Sequence, residues 1–250
     1  MTVDEFVKRA NADLSPKPPT LTRIVEINRG HLVGEALHAR TVPNPAPDAQ
    51  VLDVRDGAHF ADGHIPGSFS DPVAVSGFGN RCGFALDPER EVAIVAATHE
   101  EAEDAVRKLA AVGFTLLAEV AFGVDGAHAL ERFDPIGLVE MGTLSDKGEL
   151  QVVDVREPSE QTAMAAGALG VPYRLLADAD LSSLDPAKPT AVVCHTGARS
   201  PLAASLLARR GFTHVRPVLG DGMTSWGTRE AVAAAAADEA AAKAETRAKG

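Results

Sequence analysis

Residues 191–201 read AVVCHTGARSP: an apolar run ends on a lone thiol and is followed by a glycine, an arginine and Ser-Pro. A cysteine in that place is either a small core residue, since free cysteine is among the most buried residue types, or a nucleophile. The stretch from Cys194 to Arg199, CHTGAR, is six residues counting both ends, and it leads into a segment with helix-boundary signals. Ser200 is the expected cap, Pro201 fits the first helical position, and Gly211 after Arg209 and Arg210 fits the stop. A helix N-terminus turns free N–H groups and the positive end of its dipole toward the loop, so amides, dipole and the Arg199 guanidinium together favour thiolate over thiol. Gly197 permits the tight turn on which successive N–H groups converge. The candidate nucleophile is therefore Cys194, with a binding loop of His195, Thr196, Gly197, Ala198 and Arg199, in which the His195 and Thr196 side chains either face the pocket or stand in solvent. Arg199 is expected to anchor the thiolate and an anionic donor, and it could also close the loop through a salt bridge. His195 is not needed as a base, because an ionised thiol has no proton to give up. The same donors suit a persulfide, Cys–S–S⁻.

The elements that must hold this loop appear twice. VLDVRD at 51–56 returns as VVDVRE at 152–157, about a hundred residues later, a period too long for a solenoid and suited to a duplicated compact domain. The stretch 91–120 lies over 190–218, with Gly113-Phe114 matching Gly211-Phe212. In this alignment Ala96 stands opposite Cys194, His99 opposite Gly197 and Glu101 opposite Arg199, so the first copy lacks the nucleophile and reverses the loop charge. Within each copy short apolar runs alternate with helical segments, as in AVVC, SPLAASLLARRGF and VRPVL, which predicts an α/β fold with mostly parallel sheets flanked by helices. Asp154 and Arg156 are expected to pair at a strand end and support the loop together with Ser200; Asp53 and Arg55 repeat the pair.

The 250 residues, 45% hydrophobic, suffice for two domains. The expected division is a lead-in over 1–22, an inactive domain over 23–134, a catalytic domain over 135–228 and an alanine-rich tail over 229–250. A net charge of −11 argues against a nucleic-acid partner. No apolar run reaches the length of a membrane span, and the first residues lack the apolar core of a signal peptide, so a cytoplasmic protein without membrane association is expected. Two cysteines, Cys82 and Cys194, do not make a disulfide framework. Cys82, in NRCGFAL, is expected to pack as a small residue.

DVRD followed by GHIPGS (53–68), DVRE (154–157), CHTGARS (194–200) and LGDGMTSW (219–226) together resemble the tandem rhodanese-like sulfurtransferases, over about residues 45 to 228. The arrangement is also similar to the paired rhodanese domains of bacterial metallo-β-lactamase fusions, without the metal motif. The resemblance implies two rhodanese-like domains, no cofactor and no metal. It also implies transfer of sulfane sulfur from thiosulfate, a polysulfide or a low-molecular-weight persulfide, through a Cys194 persulfide, to a thiophilic acceptor. The second copy departs from the pattern where the first reads GHIPGS, having MAAGALGVP (164–172) instead. The rival functions are a non-enzymatic sulfur carrier, redox sensor or binding module, and a cysteine-dependent phosphatase or arsenate reductase; phosphatase loops place the arginine one residue further from the cysteine.

Overall fold

The computed structural model describes residues 1–6, 17–30, 39–46, 48–124 and 129–228; the expected tail over 229–250 lies outside them. The chain folds around two parallel sheets. After a helix α1 (Leu21–Asn28), the first half contributes β1 (Arg40–Thr41), β2 (Gln50–Asp53), α2 (Gly57–Asp62), β3 (Phe69–Ser70), α3 (Phe78–Ala85), β4 (Val92–Ala96), α4 (His99–Ala111) and β5 (Leu117–Phe122). Helix α5 (Leu138–Asp146) opens the second half, followed by β6 (Gln151–Asp154), β7 (Leu169–Gly170), β8 (Thr190–Val193), α6 (Ser200–Arg209) and β9 (Val215–Pro217). The first sheet runs β1-β5-β4-β2-β3 and the second β7-β6-β8-β9, every pairing parallel. Without β1 the two orders correspond, so the repeat seen in the residues is also a repeat of topology.

The central strands explain themselves. Val92–Ala96 and Thr190–Val193 are buried at every position, the pattern of a strand covered on both faces. Register fixes the equivalence of the halves: Asp53 pairs with Val95 and Asp154 with Val193, so Ala96 and Cys194 are the next residues along matching strands.

The helices behind those strands differ. Helix α4 buries only Ala102, Ala105 and Leu109, one stripe at helical spacing. Helix α6 is buried continuously from Ser200 to Leu207, because it lies between its own sheet and the edge strand β3 of the other half. Small residues, Ala203, Ala204 and Ser205, allow that approach. The Ser70 N–H donates to Ser205 Oγ at 3.3 Å, while Arg209 lies over the Phe69 ring at 4.4 Å and donates to the Gly67 carbonyl at 2.6 Å. A second bridge joins α3 to the turn Tyr173–Leu175, where Asn80 Nδ2 donates to the Tyr173 hydroxyl at 3.2 Å and Phe84 meets the ring edge-on. One apolar core runs through both halves. Among the described residues no helix is long and apolar enough to cross a membrane.

Candidate functional site

Strand β8 ends one residue before Cys194, and five residues follow before α6 begins at Ser200. Gly197 turns that loop with φ +85°, a conformation costly for any residue with a Cβ. Space forbids one as well: a Cβ there would meet the Gly220 nitrogen at 2.8 Å and the Asp221 carbonyl oxygen at 2.9 Å. The segment after β9 closes over the loop from outside. Met223 N–H donates to the Cys194 carbonyl at 2.9 Å, and the Thr224 N–H and hydroxyl both donate to the His195 carbonyl at 3.1 Å. Gly222 lies against those carbonyls so closely that a Cβ would stand 2.4 Å from the His195 oxygen. Asp221 Oδ1 fixes this segment through the Gly222 N–H and the Ser225 hydroxyl.

With the Cys194 and His195 carbonyls taken, the loop turns an amide to the sulfur. The Arg199 N–H donates to Cys194 Sγ at 3.2 Å. Arg199, not the expected Ser200, occupies the cap position of α6, and it provides no side-chain cap. The helix begins at Ser200 itself, with Pro201 second, and the buried Ser200 hydroxyl makes no hydrogen bond. A proline ring tolerates either of the first two positions, which is why the residue types alone placed the cap one residue late. Gly211, at φ +90°, ends the helix as expected.

The Arg199 guanidinium is held by Glu160, a residue that no sequence motif marks. Its Nη1 and Nη2 donate to the two carboxylate oxygens at 2.8 and 2.7 Å, a bidentate pair. Glu160 is positioned in turn: Oε2 accepts the Glu157 N–H at 2.9 Å, and its carbonyl accepts Arg156 Nη1 at 2.5 Å. Arg156 also donates to the Ala163 carbonyl at 2.6 Å and pairs with Asp154 through Nε and Nη2. The supporting pair thus reaches the sulfur by relay: Asp154 holds Arg156, Arg156 holds Glu160, and Glu160 holds Arg199. The guanidinium hydrogen bonds, chiefly, hold the Glu160 carboxyl down from an ordinary 4.5 to about 2. The same contact, helped by the charge of Cys194, raises Arg199 above its ordinary value. Of its two expected tasks, Arg199 performs the salt bridge in this state and stays within electrostatic reach of the sulfur.

The remaining loop residues divide by exposure. His195 and Thr196 face outward, with His195 Nδ1 3.7 Å from Glu160 Oε1, while Gly197 is buried and Ala198 half-buried. Cys194 itself is 0% exposed. The replacement of GHIPGS by MAAGALGVP leaves the architecture intact, because Ala163 supplies the carbonyl to Arg156 that Gly63 supplies to Arg55. His64, in the first half, stacks on Phe60 and bonds the Phe60 carbonyl at 2.8 Å, a structural task. Cys82 is core: its buried thiol lies 3.3 Å from Asp71, and burial, followed by that carboxylate, pushes it well above the ordinary value. Among the described residues no group of His, Cys, Asp and Glu is arranged to hold a metal ion.

At the position of Cys194 the first half has Ala96, and its loop is wound into helix. Thr98 caps α4 by accepting the Glu101 N–H at 3.2 Å, and Glu101 Oε2 accepts the Ala97 N–H at 2.8 Å. Those amides are spent on side chains.

No curated protein sequence matches this chain. Among solved structures it is similar to a rhodanese-related protein from Thermoplasma volcanium, with 28% identity over 38% of this chain and 90% of that one and a TM-score of 0.33. It is similar too to a human single-domain sulfurtransferase, with 22% identity over 37% and 93% of the two chains and a TM-score of 0.33. A thiosulfate sulfurtransferase from Pseudomonas aeruginosa aligns at 20% identity over 72% of this chain but 39% of its own, with a TM-score of 0.31. The stretch that supplies the sulfur, the arginine and the carboxylate holding it, residues 139–229, matches the rhodanese-like domain family.

Proposed function

We propose that the chain is a sulfurtransferase that carries sulfane sulfur on Cys194. In this proposal residues 135–228 form the catalytic domain, residues 23–134 an inactive rhodanese-like companion, 1–22 a lead-in and 229–250 a tail. The protein works in the reducing cytoplasm with a small-molecule donor and a thiophilic acceptor. The observation that carries the proposal is the backbone N–H of Arg199 directed at Cys194 Sγ from a helix start that no side chain caps. With thiosulfate as donor, the Cys194 thiolate attacks the outer sulfur, an S–S bond forms, and the donor S–S bond breaks with its electron pair leaving as sulfite. The enzyme is left as Cys–S–S⁻. An acceptor such as cyanide then takes the outer sulfur as thiocyanate and returns the thiolate.

The competing function is a sulfur carrier or redox sensor that loads without turning over. Mass spectrometry after incubation with sulfur donors tests the first half-reaction: a gain of about 32 Da on Cys194, one sulfur atom, is expected in the wild type and none in Cys194→Ser. Thiocyanate release in the presence of thiosulfate and cyanide tests the second, and phosphate esters should remain intact. Loading without release would assign the carrier function. Absence of the adduct with every donor would remove both.

A further inference from the structure

Outward from the sulfur the site is layered. Cys194 is fully enclosed, the Arg199 side chain is 18% exposed and the Glu160 side chain 28% exposed. A donor anion seeking the guanidinium therefore meets a carboxylate already bound to it in bidentate fashion. Glu160 has little freedom to step aside, because Arg156 grips its carbonyl and the Glu157 N–H grips its carboxylate. The neighbouring cations are matched: Arg174 by Glu157, and Arg156 by Asp154. What is left is Arg199 against Glu160 and Asp221 beside the loop, to which the thiolate adds its own charge in the attacking form. Even a protonated His195 leaves that balance negative.

Building on the sulfur-transfer function proposed above, we infer that Glu160 is the residue that sets donor choice: by occupying Arg199 it disfavours dianionic donors such as thiosulfate and favours organic persulfides, which carry at most one negative charge and react as electrophiles in the neutral R–S–SH form. The favoured step conserves atoms and charge. Cys194–S⁻ attacks the terminal sulfur of R–S–SH, the new S–S bond forms as the donor S–S bond breaks, R–S⁻ departs with the electron pair, and Cys194–S–SH remains. Thiosulfate undergoes the same displacement but brings two negative charges into a site that is already negative.

Two measurements on the full chain test this, with thiosulfate and freshly prepared 2-hydroxyethyl persulfide as probes and the rate of the Cys194 adduct as readout. In the wild type, raising KCl from about 0.02 M to about 0.3 M should speed loading from thiosulfate about threefold, because screening weakens like-charge repulsion. A thiosulfate rate that falls with salt overturns the inference, since it would mean that the guanidinium dominates. In Glu160→Gln, the ratio of kcat/KM for thiosulfate to that for the persulfide should rise about tenfold. A residue that merely holds Arg199 in place would lower that ratio or leave it unmoved, and either result overturns the inference. The salt response needs no substitution, so it decides the matter should Glu160→Gln fail to fold. Loading from neither probe in the wild type removes sulfur transfer altogether, whereas loading with an unmoved ratio removes only the role of Glu160.

Discussion

Ala96 and Cys194 occupy the same place in two sheets, and the same number of residues carries each chain on to its Gly-Phe pair. The residues between are used differently. The first half winds them into helix from His99 onward, held by Thr98 and Glu101, which take up the amides at the helix start. The second half keeps His195–Arg199 out of the helix: Gly197 turns the chain, Glu160 draws the Arg199 side chain away, and the Arg199 N–H is left for the sulfur. What separates a structural helix start from a candidate reactive one is as much the removal of a cap as the arrival of a thiol. A polar cap at an α-helix start contributes about 0.5–2 kcal/mol, so the second half forgoes stability of that order at α6.

The sharpest way to break this comparison is to give the first half a thiol. Ala96→Cys in a Cys194→Ser background places sulfur at the matching position, fully buried and above amides already bonded to Thr98 and Glu101. Its sulfur loading should be at least about a hundredfold slower than that of the wild type by mass spectrometry. Comparable loading would show that sheet position alone suffices. A smaller effect comes from the turn. Gly197→Ala must hold φ near +85° with a Cβ pressed on the backbone of residues 220 and 221. It should lower the unfolding free energy by about 1–3 kcal/mol and slow loading at least about tenfold. A variant with an unshifted denaturation midpoint would mean that the loop tolerates another path.

Much of this was legible in the residues, for identifiable reasons. The α/β class followed from alternating apolar runs and helical segments, and the equivalence of Ala96 and Cys194 followed from the Asp-Val-Arg and Gly-Phe repeats, because buried parallel strands fix register tightly. Glu160 was hidden because a glutamate after Pro158-Ser159 in a polar stretch looks like a solvated turn. Its one signal was the Glu157-Pro-Ser-Glu160 spacing, which lets Glu160 Oε2 reach back to accept the Glu157 N–H at the start of the turn Pro158–Glu160. Gly222 gave no signal of its own: its φ of −177° is open to any residue, and only the closeness of the Cys194 and His195 carbonyls, distant in sequence, excludes a side chain.

The smallest expected effect lies in acid. The Glu160 carboxyl titrates near 2 in the folded chain against an ordinary 4.5, so its contribution to stability is complete above about pH 4.5 and is lost as pH falls toward 2. The wild type should therefore lose stability across that window more steeply than Glu160→Gln, as read from denaturant midpoints at successive pH values. Parallel curves would mean that the Glu160–Arg199 pair does not persist in solution.

The contact of the Met223–Ser225 turn with the loop also sets an order of assembly. The His195 carbonyl finds its partner 29 positions further on, in Thr224, and the Cys194 carbonyl finds its own in Met223. During synthesis the whole first half leaves the ribosome before either partner has been made. A ribosome-bound chain that has passed Cys194 but not Thr224 thus holds its thiol on an unfinished bend.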